Sequence, residues 1–434
     1  MYPFEDYSDP LIPQRVKLMR KSKKLTQYDI ADAIASSQAK VSRAEKGYEK
    51  YDKDDVENAK AALDIADMPI SDYGFKIFKK RLYHWRNLYR NKQTEEAAEL
   101  QKELANLIKI EPYNMELPTL YRLFKTSLLL AERNFEAAKE VLDTVKESLK
   151  TMSEECLYFY NSRMGVFHAM QRRHEEAIVY FKKAIEISKR SDTFWSIDDE
   201  ILQYNTAISY TELDAPTRAI VAISKIKRTK FEHRASSYNL GIDITLAINC
   251  YKKGIYDEAE EILLDCLLKA QGLGDKHFIG LTLINLGMTH RYAGNWEKAI
   301  KYFNQALDIL DKGTYHHAWA LYMKMRCQVE TEKLFDLERE LIQTKKSLEG
   351  YDDYTILLET LRYIIYLNRN ISRYNINAVE YIENTAIPYF IENSNSLEAI
   401  ECYKLLERHY LRTNKLKQSL KANRAMFEIS ERMA

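Results

Sequence analysis

Apolar residues recur every three or four positions along almost the whole chain, which is the period of an amphipathic α-helix. One stretch, 66–74, breaks this pattern and contains Pro69 and Gly74, both of which interrupt helices. The pattern therefore predicts an all-α chain with a tail at 1–10, a small domain at 11–65, a linker at 66–74 and a long repeat region at 75–434.

The small domain should contain four short helices, of which Ile12 to Ser22 is the first and Asp54 to Leu63 the last. Between them, Thr26 and Ser37 can cap two helices, and Gly47 can end the second. Small side chains at Ala31 and Ala35 would allow these two helices to cross closely. Their buried face should consist of Ile30, Ala31, Ile34, Val41 and Ala44.

The second of these helices should present polar side chains to the solvent. Its outward positions are Gln38, Ala39, Lys40, Ser42 and Arg43, and several of these side chains can donate to base edges and phosphates. From Leu11 to Tyr51 there are ten basic and four acidic residues, a net charge of +6, which attracts DNA phosphates. The flanks are acidic, so one module should bind weakly and a dimer reading two half-sites is expected.

Leu25 to Gly47 resembles the helix-turn-helix of the Xre/Cro family, which runs L-T-Q-x-x-L-A, a turn, then S-Q-x-x-V-S-R-x-E-x-G. The alternative is a plain helical pair. Ala35 departs from the family, which usually has Gly in the turn. The resemblance implies a structural role for Glu45 and a DNA-binding set that consists of Gln27, Ser37, Gln38, Lys40, Ser42 and Arg43. Within that set Gln27 should contact phosphate.

Beyond the linker, the helical pattern repeats with a step near 40 residues. Each unit has a helix, a short turn, an acidic residue and an alanine early in a second helix. The alignment positions are Ala98, Ala138, Ala177, Ala219, Ala259 and Ala299, and the same step continues to Leu337, Ala378 and Ser419. About nine helical hairpins should therefore fill this region as a right-handed α-solenoid.

The unit from Leu283 to Ala306 resembles a tetratricopeptide repeat, with Gly287 and Phe303 among the residues at the packing positions of that family. In this reading small residues let the two helices touch, and Phe303 fills the gap between neighbouring hairpins. The usual repeat has about 34 residues, so the longer step means longer helices. Such stacks line a concave groove with their first helices, which suits peptide binding. Another type of α-solenoid is the alternative architecture.

Two asparagines occupy equivalent positions in this groove, because Asn205 and Asn285 each lie fourteen residues before an alignment alanine. An asparagine side chain both donates and accepts, so it can hold the backbone of an extended peptide. The alternative is that these residues are helix caps or solvated polar positions. The predicted peptide-binding set is Asn161, Arg163, Tyr204, Asn205, Ile208, Asn239, Asp243, Asn285, Met288 and Tyr292.

An Xre-type head followed by such repeats resembles the Rap/Rgg/NprR/PlcR/PrgX (RRNPP) group of peptide-sensing regulators in Gram-positive bacteria. The resemblance implies a cytoplasmic, homodimeric quorum-sensing regulator that binds operator DNA and is switched by a short imported signalling peptide. Within the group, the architecture is most like that of PlcR and NprR. The alternative is a receptor that sequesters a partner protein or, as some Rap proteins do, dephosphorylates it.

Composition adds several exclusions. The five cysteines form no CxxC pair, which favours reduced thiols in a cytoplasm and makes a zinc site improbable. The N-terminus is acidic and no apolar run is long enough to span a bilayer. No phosphate-binding loop, HExxH or GxSxG motif is present, so the sequence predicts neither an enzyme nor a cofactor.

Overall fold

The computed structural model describes residues 12–46, 48–64, 72–90, 93–110, 116–146, 153–190, 196–226, 235–331, 341, 344, 352–368, 372–393 and 395–433. Across these ranges the regular structure is helical and contains no strand. The chain divides into two compact units, Met1–Arg163 and Met164–Ala434. The all-α prediction is confirmed.

The N-terminal helices are α1 (Ile12–Ser22), α2 (Gln27–Ala33), α3 (Gln38–Glu45) and α4 (Lys53–Ala62). The predicted first helix is confirmed, and the fourth begins and ends one residue earlier than predicted because Asp52 caps it. Val16, Ile30, Val41 and Ala59 are among the residues of one apolar core that these four helices share. The predicted tail, most of the predicted linker and Gly47 lie outside the described residues.

The first unit continues with α5 (Asp72–Arg90), α6 (Thr94–Ile110), α7 (Glu116–Ala131) and α8 (Phe135–Lys146), and α9 (Glu154–Met170) crosses into the second unit. Because α5 begins at Asp72, the last three residues of the predicted linker are helical.

The second unit continues as a series of helices joined by short turns. They are α10 (His174–Ser188), α11 (Ser196–Glu212), α12 (Pro216–Ser224), α13 (Ala235–Lys252), α14 (Tyr256–Leu273), α15 (Lys276–Tyr292), α16 (Trp296–Ile309), α17 (Tyr315–Glu330), α18 (Asp352–Asn368), α19 (Ser372–Tyr381), α20 (Ile387–Glu392), α21 (Ser396–Arg412) and α22 (Leu416–Met433). A π-helical turn, Ile382–Ala386, joins α19 to α20. In the described part of the chain, no helix combines the length and apolarity needed to cross a membrane.

The alanine that anchors each hairpin is fully buried. Ala138, Ala177, Ala219, Ala259, Ala299 and Ala378 all have 0% exposure, and Ser419 has 5%. The first alignment position was wrong by one residue, because Ala97 is buried and Ala98 is exposed. Both are small, so composition did not distinguish them, and only the helix phase decides which one faces the partner helix. Leu337 lies outside the described residues.

In six of the hairpins, the turn has a left-handed residue five positions before the anchor. Arg133, Arg172, Asp214, Gly254, Gly294 and Asn414 all have positive φ, between 50° and 80°. Glycine adopts this conformation without steric cost, whereas the other side chains must be compensated by their surroundings. The repeat is therefore visible in the backbone conformation of the turns as well as in the pattern of apolar residues.

Glycine lets a phenylalanine ring enter two of the hairpins. A Cβ atom built on Gly287 would lie 2.5 Å from Cε1 of Phe303, and one built on Gly165 would lie 2.3 Å from Cε1 of Phe181. Both rings have 0% exposure. Phe303 thus packs against the first helix of its own hairpin. The sequence analysis placed this ring between neighbouring hairpins instead.

The five cysteines are free and buried. Burial raises the pKa of the Cys156 thiol to about 12 and that of Cys250 to about 11, and burial likewise raises the pKa of Cys327 and Cys402 to about 12. These thiols are protonated at neutral pH, since the thiolate is the form that burial disfavours.

We expect Gly287→Ala to lower the free energy of unfolding by about 1 to 3 kcal/mol, because the added methyl group overlaps the buried ring of Phe303. Gly272→Ala is the matched control, since a Cβ there meets nothing within 4 Å. The control should be neutral or stabilising by up to about 1 kcal/mol through its helix propensity. Urea unfolding of both variants tests this, and equal effects would contradict the packing argument.

Candidate DNA-binding and ligand-binding sites

The two central helices of the N-terminal domain begin at the predicted caps. The hydroxyl oxygen of Thr26 accepts from the Asp29 N–H at 3.2 Å, and the Asp29 carboxylate accepts from the Thr26 N–H at 2.6 Å. The Ser37 hydroxyl oxygen accepts from the Lys40 N–H at 3.2 Å. These bonds satisfy the open N–H groups at both helix starts and so fix where each helix begins.

A buried carboxylate holds three of the helices together. Nε and Nη2 of Arg20 on α1 donate to the two carboxylate oxygens of Glu45 on α3, at 2.8 and 3.0 Å. Nε2 of Gln27 on α2 donates to the same carboxylate at 2.8 Å. Glu45 therefore has the structural role that the family resemblance implies. Gln27, the predicted phosphate contact, uses this donor to fix α2 against α3.

The outward face of α3 carries the predicted base-reading residues. Gln38, Ala39 and Arg43 are exposed, and Ser42 is half-buried. The Arg43 Nε donates to Glu49 at 2.9 Å while its side chain stays 57% exposed. Ser37, Gln38 and Arg43 are therefore the exposed members of the predicted DNA-binding set.

Lys40 differs from the other members of this set. Its Nζ donates to the Asp55 carboxylate of α4 at 2.8 Å, and its side chain is only 24% exposed. The hydrogen bond from Asp55 raises the pKa of the Lys40 ammonium. The charge of Lys40 is consequently engaged inside the domain.

The turn between α2 and α3 contains the departure from the family pattern. Ala35 has φ of +47°, the left-handed region that favours glycine. It is also exposed, so the expectation that its small side chain allows the helices to cross closely was wrong. Ala31, with 1% exposure, lies in the core.

Two exposed tyrosines of this domain, one at the start of α2 and one just after α3, are not among the predicted site residues. Tyr28 is 68% exposed and Tyr48 is 80% exposed. Tyr48 donates its N–H to the Arg43 carbonyl at 2.9 Å, and Tyr28 follows Gln27, whose side chain is bound to Glu45. The helical periodicity of apolar residues does not mark these tyrosines. Their position outside the apolar face of the helices is the feature that could have identified them.

Four of the predicted peptide-binding residues are partly exposed on α11 and α13. They are Tyr204, Asn205, Ile208 and Asn239. The Tyr204 ring meets Tyr238 edge to face at 5.3 Å, and Gly241 leaves space for its hydroxyl group. Burial raises the pKa of Tyr204. Asn205 is half-exposed, and its amide has no hydrogen-bond partner among the described residues.

Asn285 differs from its equivalent Asn205, since it is only 5% exposed. Its Nδ2 donates to the Leu281 carbonyl at 2.8 Å, and its Oδ1 accepts from the Tyr251 hydroxyl at 3.4 Å. Met288, also on α15, is likewise 5% exposed. A ligand at Asn285 would use the second hydrogen of the amide and the second lone pair of its oxygen.

Three further predicted residues, on α9 and α13, are buried or half-buried. Asn161 is 9% exposed and donates Nδ2 to the Leu157 carbonyl at 2.7 Å, and Asp243 is 6% exposed. Arg163 is half-buried, with its guanidinium 5.8 Å from the centre of the Phe159 ring. Asn161 and Arg163 belong to the first unit, whereas the other eight residues belong to the second.

Tyr292 connects α15 to a helix far along the chain. Its ring stacks on Tyr251 at 5.9 Å, and its hydroxyl group donates to Oε1 of Glu398 on α21 at 3.4 Å. Burial and the nearby carboxylate of Glu398 raise the pKa of Tyr292 well above its ordinary value. The predicted pocket residue is therefore part of a buried polar cluster.

Glu398 is the centre of this cluster and its side chain has 0% exposure. Arg291 Nη2 lies 2.6 Å from Oε1, Arg326 Nε lies 3.4 Å from Oε2, and the Tyr322 hydroxyl donates to Oε2 at 3.2 Å. Burial lowers the pKa of both arginines and is the largest single effect, but Glu398 and neighbouring side chains together raise both pKa values above the ordinary value. Both guanidinium groups therefore stay charged in this cluster.

Two further contacts join the C-terminal helices to earlier hairpins. The Asp214 carboxylate accepts from the Ser396 N–H at 3.2 Å and from its hydroxyl group, and it also pairs with Lys252. Arg172 donates to Asn393 Oδ1 at 2.9 Å and to the Glu392 carbonyl at 3.2 Å. Asp214 thus caps the N-terminus of α21 from 182 residues away.

The tetratricopeptide-repeat family description matches residues 235–312 and 162–191. These segments are tetratricopeptide repeats. The match covers α13 to α16 and the α9–α10 hairpin, whose helices carry the glycine and phenylalanine contacts described above. The tetratricopeptide-like prediction is confirmed.

The chain is also similar to two curated regulators. It is 20% identical to the transcriptional activator NprA of Geobacillus stearothermophilus over 81% of this chain and 87% of that protein. It is 22% identical to the regulatory protein RapD of Bacillus subtilis over 65% of this chain and 82% of that protein. The resemblance to the Rap and NprR group is confirmed.

The solved structure of apo NprR from B. thuringiensis has the same fold. It matches with a TM-score of 0.67 at 22% identity, over 82% of this chain and 99% of NprR. NprR in complex with its cognate peptide NprX matches with a TM-score of 0.61 at 21% identity, over 81% and 99%. The repeat-built solenoid fold is shared.

We expect Glu398→Gln to lower the free energy of unfolding by about 3 to 5 kcal/mol, because it removes the carboxylate that pairs with buried Arg291 and, among the described residues, leaves buried Arg326 only its ion pair with Glu330, at 3.6 Å. Asp265→Asn is the control, since Asp265 pairs with Lys269 on an exposed turn of α14. Its effect should stay near 0.3 to 0.5 kcal/mol. Thermal or urea unfolding measures both, and a small effect of Glu398→Gln would show that the buried cluster contributes little.

Proposed function

We propose that this chain is a cytoplasmic, homodimeric transcription regulator that binds operator DNA through α3 and is switched by a short peptide bound to its repeats. The observation that carries the proposal is the geometry of the N-terminal domain. Glu45 binds Arg20 and Gln27, and this holds α3 with Gln38 and Arg43 exposed. An exposed, rigidly held helix with such donors suits the major groove.

The comparisons support both halves of the proposal. NprA, a transcriptional activator, aligns with 81% of the chain, and NprR shares the repeat fold and binds the peptide NprX. The open amide of Asn205 and the half-buried side chains of Tyr204 and Ile208 offer one polar and two apolar contacts to such a ligand. We also propose that the DNA-binding domain spans residues 11–65 and that the peptide-binding repeat domain spans residues 75–434.

A second candidate function is control of a partner protein, by sequestration or by Rap-like dephosphorylation. The similarity to RapD favours it. Two ion pairs of α3 also favour this candidate, because Lys40 is bound to Asp55 and Arg43 is bound to Glu49. These ion pairs reduce the free positive charge on α3, so a single copy would bind DNA weakly unless two copies act together.

The first test is Arg43→Ala in a binding assay with DNA flanking the gene, at two salt concentrations. We expect loss of specific binding by about 1 to 3 kcal/mol, because a guanidinium that reads a base edge is removed. Arg218→Ala, an exposed arginine on α12, is the control and should bind as the parent does. If Arg43→Ala retains specific binding, or if the parent binds DNA only nonspecifically while capturing one cytoplasmic protein, the second candidate is favoured.

The second test concerns the ligand. Adding the small-peptide fraction of the producing culture's medium should change the specific DNA binding of the parent protein. Asn205→Ala should weaken this response by about 1 to 3 kcal/mol, since a peptide backbone group would lose its partner. Asn304→Ala, an exposed asparagine on α16, is the control and should respond normally. An unchanged response of the Asn205 variant would locate the ligand elsewhere.

A further inference from the structure

The segment that follows α3 holds an acidic side chain against the exposed arginine of that helix. Nε of Arg43 donates to Oε2 of Glu49 at 2.9 Å. The side chain of Arg43 is 57% exposed and that of Glu49 is 33% exposed. A surface ion pair of this kind adds little to stability, so its main consequence is where it holds the guanidinium group.

The position of Glu49 is fixed on both sides. Before it, the Tyr48 N–H donates to the Arg43 carbonyl at 2.9 Å, which ties the segment to the last turn of α3. After it, Tyr51 has 3% exposure and lies in the apolar core that α1 to α4 share. The Glu49 carboxylate is therefore presented to Arg43 by a short segment that is anchored at both ends.

The ion pair occupies one edge of the guanidinium group. A guanidinium has five N–H donors, and Nε supplies one of them. Among the described residues, no acceptor binds Nη1 or Nη2 of Arg43. Lys40 differs, because its ammonium group carries all of its donors and is bound to Asp55. Arg43 is thus held in place with the end of its fork free.

A fork that is held in this way selects one base. Guanine presents two acceptors, N7 and O6, side by side in the major groove, and an arginine fork donates to both. Adenine presents an acceptor beside an N–H donor, so a fork that cannot turn meets a repulsive contact there. The carboxylate of Glu49 also repels DNA phosphates, which lowers the affinity for every sequence alike. Fixed orientation and repulsion together raise the ratio of specific to nonspecific binding.

We propose that Glu49 is a positioning residue that orients Arg43 to read a guanine in the operator. This inference rests on the proposed DNA-binding function. A guanidinium group that is already oriented loses less conformational entropy when it binds its base. The pair therefore strengthens the contact with guanine and leaves the contacts of Gln38 unchanged.

The first experiment uses the full chain to select duplexes from a random DNA library, so that the operator need not be known. We expect the parent to enrich sites with a guanine that Arg43→Lys no longer prefers, because lysine keeps the charge without the fork. Glu49→Gln should reduce the preference for that guanine by at least about fivefold and leave the other positions of the site unchanged. Asp54→Asn is the matched control, since it removes one negative charge from an exposed position of α4 and should keep the guanine preference.

The second experiment measures the Kd of each variant for a random-sequence duplex at two salt concentrations. Glu49→Gln and Asp54→Asn should both bind this duplex at least as tightly as the parent, because each removes a negative charge. Glu49→Gln should therefore lose guanine preference without losing nonspecific affinity. If it loses both, Glu49 supports the fold of the domain instead, and the positioning role is overturned.

The outcomes separate this inference from the proposed function. A parent that enriches no sequence would overturn the proposed function and the role of Glu49 with it. If the parent enriches a site whose guanine depends on Arg43 but Glu49→Gln behaves as Asp54→Asn does, the DNA-binding function stands and the positioning role is overturned. An enriched site without a guanine that responds to Arg43→Lys would overturn the positioning role in the same way.

Discussion

The burial of one carboxylate constrains how the helices of the second unit pack. Glu398 lies without solvent exposure between Arg291 and Arg326, which come from two different hairpins. Breaking a buried ion pair leaves an uncompensated charge, so these three side chains must be brought together when the unit folds. The position of α21 relative to α15 and α17 follows from that requirement, and the cap that Asp214 forms on Ser396 fixes the same helix from another hairpin.

The same contacts relate the candidate ligand site to the C-terminal helices. Asn285 accepts from Tyr251, Tyr251 stacks on Tyr292, and Tyr292 donates to Glu398. A ligand that rearranges the Asn285 amide would therefore disturb a hydrogen-bonded and stacked series that ends on α21. Asn205 is half-exposed and has no hydrogen-bond partner in the part of the chain that the structure describes, so the two equivalent asparagines differ in their surroundings.

In the N-terminal domain, as in the second unit, a single buried carboxylate holds several helices together. Glu45 joins Arg20 and Gln27, so α1, α2 and α3 are held by one carboxylate beneath an apolar core. This explains why Glu45 and Gln27 match the family pattern although neither needs to contact DNA to do so. The exposed residues of α3 make none of these contacts, so the packing of the three helices does not depend on them.

Local sequence signals determined the helices, their caps at Thr26 and Ser37, and the period of the hairpins, because capping and apolar periodicity depend on neighbours within a few residues. They did not distinguish Ala97 from Ala98, since both satisfy the same pattern. Only the tertiary structure showed that Lys40 is held by Asp55, that Asn205 is open while Asn285 is buried, and that Glu398 pairs with arginines more than seventy residues away. These contacts join residues far apart in the chain, and the folding of the whole unit brings them together.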